Sequence, residues 1–160
     1  MFGLFKPEPF TDSHLGLLVK SGDKWKGTIS FGPYENVELQ ITSKGKAPEP
    51  ASLELARQFH DQYPELRQQI ESSLFEHYQP YQEAASLGEL PKYTEPFPTI
   101  DSAKGVWPHV APVYVLIEPL RGSPLTGPTI EIAFTVAWDE EHTVGARIQN
   151  WRIFELCGSV

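Results

Sequence analysis

Hydrophobic and polar residues alternate strictly between Thr129 and Trp138. The apolar positions are Ile130, Ile132, Phe134, Val136 and Trp138. The positions between them are Thr129, Glu131, Ala133, Thr135 and Ala137. A period of two residues is typical of a β-strand, because successive side chains point to opposite faces of a sheet. The pattern predicts a sheet with one buried face and one face that is wet or lightly covered.

Other parts of the chain carry the same kind of pattern. Further strands are predicted at His14–Lys20, Lys24–Phe31, Asn36–Thr42, Pro112–Glu118, Thr143–Gln149 and Arg152–Leu156. Short polar turns containing glycine separate the first three, which is typical of an antiparallel meander. Pro112–Glu118 is apolar on both faces, which indicates a central strand.

The middle of the chain shows helical spacing instead. Ser52–Tyr63 and the stretch from Pro64 to Glu83 carry apolar residues three and four positions apart. Proline is tolerated in the first turn of a helix, where its missing N–H has no intrahelical partner. We therefore expect two helices, or one helix kinked sharply at Tyr63-Pro64, with acidic residues concentrated on the outer face.

These elements predict an α+β protein. Its curved antiparallel sheet has six or seven strands, ordered as meander, helical pair and meander, with the helices packed on one face. The length of 160 residues predicts a single domain over residues 1–160. Residues 1–10 are expected to form a loosely ordered start, residues 86–105 a long proline-rich loop that covers the protein, and Arg121–Pro128 a wide hairpin loop.

The composition narrows the classes of partner. Thirteen basic and twenty-one acidic side chains give a formal net charge of −8. This sign repels nucleic acid and anionic lipid, and it favours solubility or a basic protein partner. No apolar run approaches the ~20 residues that span a bilayer, and the first residues lack the pattern of a secretory signal. The single cysteine, Cys157, excludes an internal disulfide and is compatible with a cytoplasmic location.

The densest group of ionisable residues is Asp139-Glu140-Glu141-His142. Three carboxylates and an imidazole suit a hard cation or an acid–base pair. Consecutive residues in a turn point in different directions, however, so we interpret the group as a solvated polar turn. Arg147 on the next strand is expected to pair with Asp139 or Glu141. No catalytic motif, metal site or cofactor site is predicted, and the other histidines are scattered.

A second group of candidates lies in and beside the proline-rich loop. Tyr93, Phe97, Trp107 and His109 are aromatic or imidazole side chains near the start of the predicted fourth strand. Large aromatic residues are favoured at protein interfaces, although core packing is their commoner use. The candidate binding residues are therefore Tyr93, Phe97, Trp107, His109, Asp139, Glu141, His142 and Arg147.

Both ends of the chain resemble an uncharacterised bacterial family of small cytoplasmic proteins. Phe10–Gly16 with Trp25–Thr28 (FTDSHLG … WKGT) is similar to the family's opening F-x-D-P-x-x-G … W-x-G strand pair. Trp138–Arg147 (WDEEHTVGAR) is similar to its closing W-D-x-E-H-x-x-G hairpin. The resemblance implies this fold and a bacterial cytoplasmic setting. Some relatives look like immunity proteins of bacterial toxin systems, and no catalytic residues are implied.

Three functional hypotheses follow. The leading one is a non-enzymatic interaction module, of the immunity type, that binds a basic protein through its acidic helix face or aromatic loop. The alternative is a small-ligand-binding protein or hydrolytic enzyme with a pocket between sheet and loop, which would use His109 or His142 with Asp139 or Glu141. The third is a homodimer or larger homo-oligomer that pairs outer strands such as Arg152–Leu156 across a two-fold axis.

Overall fold

The structure is a computed structural model in which residues 7–119, 127–158 and 160 are described. Strands and helices follow one another as β1 (Phe10–Asp12), β2 (Gly16–Ser21), β3 (Lys24–Phe31), β4 (Tyr34–Thr42), α1 (Pro50–Ser86), a 3-10 helix (Ala103–His109), β5 (Val110–Pro119), β6 (Pro128–Val136), β7 (Asp139–Gln149) and β8 (Arg152–Gly158). The predicted α+β class is confirmed.

The eight strands form one open sheet in which their spatial order is the same as their order along the chain. Every neighbouring pair is antiparallel except β4 and β5, which run parallel with Leu39 opposite Val115. The helix α1 lies in the connection between these two strands. The predicted count of six or seven strands is therefore wrong, because β1 has only three residues and is too short to show a period of two. The predicted central position of β5 is confirmed.

Of the two predicted arrangements, a pair of helices meeting at Tyr63-Pro64 is wrong, and a single helix through Pro64 is observed. A single helix, α1, continues for 37 residues with Pro64 and Pro80 inside it, and the second helix of the structure is the short 3-10 helix Ala103–His109. The apolar stripe of α1 is buried on both sides of Pro64, and this packing holds the helix together where the missing N–H weakens it. Its buried apolar and aromatic members are Leu53, Ala56, Phe59, Tyr63, Leu66, Ile70, Leu74 and Tyr78.

The core lies between α1 and one face of the sheet. The predicted buried set on β6 and its turn is confirmed, since Ile130, Ile132, Phe134, Val136 and Trp138 are all buried. Aromatic rings join the two layers: the ring of Phe31 on β3 lies 4.9 Å from that of Phe59, and the ring of Trp138 lies 5.4 Å from that of Tyr78. None of the described helices combines the length and apolar character that crossing a lipid bilayer requires.

The opposite face of the sheet is drier than the alternation predicts. Thr129, Glu131 and Ala133 are buried there, although this face turns away from α1. Glu131 accepts hydrogen bonds from Tyr114 on β5 and Arg147 on β7, so the long side chains of neighbouring strands cover it. Of the two predicted states, the wet face is therefore wrong at the centre of the sheet, where side chains of neighbouring strands form the cover.

Between α1 and the 3-10 helix, residues 87–102 have no regular secondary structure. The end of this segment packs against α1, because the Tyr78 hydroxyl donates to the Pro98 carbonyl at 2.8 Å and accepts from the Ile100 N–H at 3.2 Å. The predicted loose start over residues 1–10 and the predicted loop Arg121–Pro128 fall mostly outside the described residues, which omit 1–6 and 120–126.

Candidate functional site

The acidic group Asp139–His142 lies at the start of β7 and not in a polar turn. The chain reverses at Ala137-Trp138, and Val136 on β6 pairs with Asp139. The next pair joins Thr135 to Thr143, so three residues of β7 are extra in this register and form a bulge. The turn is therefore wrongly placed by the prediction, since the chain reverses at Ala137-Trp138, but Glu140, Glu141 and His142 are exposed, as expected of a solvated group. Of these side chains, Asp139 contacts α1 and Glu140 contacts the segment that follows it.

Asp139 holds the bulge in place. Its Oδ1 accepts the backbone N–H groups of Glu141 and His142, each at 3.2 Å, and its Oδ2 accepts the hydroxyl of Tyr81 on α1 at 2.9 Å. Burial raises the pKa of Asp139, but the hydrogen bonds from Tyr81, His142 and the Glu141 N–H outweigh it and lower that pKa. Asp139 is therefore a carboxylate at neutral pH.

Trp138 connects this strand to α1 and to the irregular segment. Its ring Nε1–H donates to Nδ1 of His77 at 3.0 Å, and its carbonyl accepts the hydroxyl of Tyr93 at 2.7 Å. Burial lowers the pKa of His77 more than the charge of Asp139 raises it, so His77 is neutral and its Nδ1 can accept. The turn before β7, the helix α1 and the irregular segment 87–102 thus meet at Trp138.

Glu140 ties the irregular segment to β7. Its carboxylate accepts the Thr94 hydroxyl at 2.7 Å, the Thr94 N–H at 3.1 Å and the Glu95 N–H at 3.3 Å. These bonds, the Thr94 hydroxyl first, lower the pKa of Glu140 and keep it ionised. One side chain therefore fixes the position of the backbone next to Tyr93.

A cleft of about 210 Å3 lies between α1, the irregular segment 87–102 and the start of β7. Its lining residues are Tyr81, Leu90, Pro91, Lys92, Tyr93, Asp139, Glu140, Glu141 and His142. Three carboxylates and one lysine ammonium group leave two negative charges in the lining when His142 is neutral. Burial, followed by the interaction with Asp139, raises the pKa of Tyr81 to about 12, so its phenol stays protonated.

Glu141 and His142 supply acceptors in the cleft that can still take a ligand. The Glu141 side chain makes no hydrogen bond or ion pair with any residue that the structure describes. His142 Nδ1 lies 3.0 Å from Asp139 Oδ1, and 48% of the imidazole side chain is exposed. When Nδ1 carries the proton and donates it to Asp139, Nε2 is left as an acceptor.

Four of the eight candidate binding residues line this cleft: Tyr93, Asp139, Glu141 and His142. Arg147 does not, and the prediction that it pairs with Asp139 or Glu141 is wrong. It donates to Glu131 and Glu155, each at 2.9 Å, on the face of the sheet away from α1. Asp139 and Arg147 are eight positions apart on β7, and regular alternation would place them on the same face of the sheet. They point to opposite faces because the bulge adds an odd number of residues between them.

Phe97, Trp107 and His109 are not part of the lining. Phe97 stacks on Tyr78 of α1 with ring centres 5.8 Å apart. Trp107 donates its ring N–H to the buried Glu71 at 2.8 Å, and the His109 carbonyl accepts the Ala137 N–H at 2.9 Å. These residues fix the 3-10 helix and the loop to the rest of the protein.

Sequence reasoning missed Tyr81 and Lys92, and it named Glu140 in the acidic group without including it among the candidate binding residues. Tyr81 follows His77 by four positions and so shares its helix face, which is a signal that the sequence contains. Nothing in the local sequence shows that this face meets Asp139. Within residues 7–119, 127–158 and 160, no group of three or more His, Cys, Asp or Glu side chains could hold a metal ion.

The fold and the cleft together define an α+β protein with an open, mostly antiparallel sheet, one long helix and an acidic cleft at the start of β7. The chain belongs to the domain of unknown function family DUF6985, whose model matches residues 14–159. Comparison with curated proteins found no match, and comparison with solved structures found none.

Proposed function

We propose that the protein is a non-enzymatic interaction module that binds a basic protein partner at the acidic cleft between α1, the proline-rich segment and β7. The observation that carries this proposal is the size and charge of the cleft. Its volume of about 210 Å3 is smaller than the ~300–1,000 Å3 typical of pockets that enclose a small-molecule ligand. It suits a single side chain presented by a partner, and its surplus of carboxylates favours a cationic one.

The charge of the whole chain supports the same conclusion. A net charge of −8 attracts a basic protein over a distance of about one Debye length, ~8–10 Å at ordinary ionic strength. Such long-range attraction raises the rate of association and makes it sensitive to salt. The exposed surface of α1 adds to this field through Glu54, Asp61, Glu65, Glu76 and Glu83.

The setting that we propose is the bacterial cytoplasm, with an immunity-type role in which the partner is a toxin. The support is the resemblance of Phe10–Gly16, Trp25–Thr28 and Trp138–Arg147 to a bacterial family in which some relatives look like immunity proteins. An acidic inhibitor is a natural complement to a basic toxin, because opposite fields favour encounter.

The test is capture of the partner from the native host with the tagged full-length chain. We expect a stoichiometric basic protein at about 50 mM salt, and much less of it at about 500 mM, where charges are screened beyond ~4 Å. A tagged acidic protein of unrelated fold is the control for non-specific adsorption. Recovery of no specific protein at low salt would contradict the proposal.

A second candidate is a small-ligand-binding protein or a hydrolytic enzyme at the same cleft. The observation in its favour is the Asp139–His142 pair, in which a partly buried carboxylate holds Nδ1 and leaves Nε2 available as a general base. His109, the other imidazole considered for this role, is outside the lining. This alternative requires an activity that depends on His142 and needs no protein partner.

A further inference from the structure

We infer that the cleft recognises an arginine side chain of the partner, with the guanidinium placed between Glu141 and His142 against the rings of Tyr81 and Tyr93. This inference rests on the proposed function and makes it specific.

The acceptors suit a planar cation with several N–H groups. Glu141 offers a carboxylate that no described residue occupies, and His142 offers Nε2 when its Nδ1–H donates to Asp139. A guanidinium carries five donors in a fixed fork, so it can bond a carboxylate with two of them and an imidazole nitrogen with a third. A lysine ammonium group is a compact point charge without this geometry.

The aromatic part of the lining also favours a guanidinium. The hydroxyls of Tyr81 and Tyr93 are already bonded to the Asp139 carboxylate and the Trp138 carbonyl. What these two side chains offer a ligand is therefore ring surface. A guanidinium is weakly hydrated and stacks on aromatic rings, whereas an ammonium group gives up a strongly held hydration shell when it does so.

Hydrogen bonds within the chain hold part of the cleft in place. Asp139 accepts from four donors, which are the Tyr81 hydroxyl, the Glu141 and His142 N–H groups and His142 Nδ1, and Glu140 binds Thr94 and Glu95, which follow the lining residue Tyr93. A site that is already ordered loses less conformational entropy on binding. An ordered site also favours a ligand whose donors match the spacing of its acceptors over a ligand whose donors do not.

The size of the cleft limits what enters it. At about 210 Å3 the cleft is below the ~300–1,000 Å3 of pockets that enclose a whole small-molecule ligand. We therefore expect it to admit one extended side chain and not a folded peptide segment. Lys92 also belongs to the lining and is exposed, so its ammonium group can remain in solvent while the carboxylates attract the incoming cation.

The test uses the full chain and three capped amino acids as probes: the N-acetyl, N-methylamide derivatives of arginine, lysine and citrulline. Citrulline has the shape of arginine without its charge. Titrations followed by NMR should show that the arginine probe shifts the amide signals of residues 92–94 and 139–142. We expect the lysine probe to bind at least about fivefold more weakly, and the citrulline probe not to bind measurably.

Two matched variants complete the experiment. Glu141→Gln removes the free carboxylate from the cleft and should weaken binding of the arginine probe by about tenfold or more, since hydrogen bonds to charged groups are the stronger ones. Glu76→Gln removes an exposed carboxylate of α1 outside the lining and should leave binding unchanged. The inference is wrong if no probe shifts these signals, if lysine or citrulline binds as well as arginine, or if the two variants behave alike.

The outcomes separate the inference from the proposed function. If the host protein is captured but the arginine probe does not bind, the interaction module stands and the arginine site falls. If the arginine probe binds as expected but no basic protein is captured, the cleft is a guanidinium site and the proposal of a basic protein partner falls.

Discussion

Asp12 shows how one side chain can join two distant parts of the chain. It is 4% exposed, and its Oδ1 accepts the N–H groups of His14 and Leu15, which closes the turn between β1 and β2. Its Oδ2 accepts the Nε–H of Arg57 on α1 at 3.0 Å. The hydrogen bond from Arg57, above all, lowers the pKa of Asp12 from 3.8 to about 2.

This pKa leads to a prediction about stability in acid. Because the folded-state pKa of Asp12 lies below its unfolded value, its contribution is complete above pH ~4 and is lost as the pH falls toward about 2. A shift of nearly two units corresponds to about 2 kcal/mol. The free energy of unfolding of the native chain should therefore exceed that of Asp12→Asn at pH 6, and the difference should shrink by about 1.5 kcal/mol at pH 2.5, where part of the charge remains.

Urea unfolding of both proteins between pH 6 and pH 2.5 measures this difference. Asp61→Asn, at an exposed position of α1, is the matched control and should differ little from the native chain at any pH. A difference between native and Asp12→Asn proteins that stays constant with pH would show that the charge of Asp12 is not what stabilises the fold.

Residue types could be predicted from the sequence at the cleft, but their convergence could not. The density of ionisable groups marked Asp139, Glu141 and His142, and aromatic character marked Tyr93. Tyr81 reaches Asp139 across 58 positions of the chain. That contact depends on how α1 lies on the sheet, which no local pattern encodes. The same limit explains why Arg147 was assigned the wrong partners.

At the scale of elements, α1 shows tertiary packing overriding a local helix-breaking signal. A proline at position 64 cannot donate to the carbonyl of His60, four residues earlier, and its ring crowds the preceding turn. The helix nevertheless continues, because Tyr63 and Leu66 on either side of Pro64 are buried in the core. Periodicity predicted the buried face correctly, but it could not weigh that burial against the cost of the proline.

Replacing Pro64 should therefore stabilise the protein. Pro64→Ala restores a backbone donor at an exposed position of the helix interior, so we expect the free energy of unfolding in urea to rise by about 1–3 kcal/mol. Pro50→Ala is the control. Pro50 lies in the first turn, where proline has no donor to lose, and its replacement should change stability by less than about 1 kcal/mol. A decrease in stability for Pro64→Ala would show that the helix needs the proline in place.

The sequence also did not reveal the direction of β5, which runs parallel to β4. Alternation predicts which side chains share a face, but it does not depend on whether neighbouring strands run the same way. A helix packed across a sheet returns the chain to the end where the previous strand began, so the next strand runs parallel to it. The parallel pair β4–β5 therefore follows from the position of α1 between them, and not from a feature of either strand.

For the molecule as a whole, an open sheet leaves β1 and β8 as its edge strands. Part of the edge at β8 is engaged within the chain, because Gln69 of α1 donates to the Trp151 carbonyl and accepts the Ile153 N–H. The ladder between β7 and β8 is also irregular near this point. Bulges and capped backbone groups discourage pairing with another strand. The net negative charge and the cleft therefore support the binding of a partner better than the edge at β8 does.

The measurement that tests this account most directly is the affinity of the captured basic protein for three forms of the chain. Isothermal titration calorimetry at one fixed salt concentration would compare the native chain, Glu141→Gln and Glu76→Gln. Both variants lose one negative charge, so any general electrostatic effect is the same. We predict that Glu141→Gln weakens binding by about tenfold or more and that Glu76→Gln changes it by less than about twofold. Equal affinities for the native chain and Glu141→Gln would contradict a binding site at the cleft.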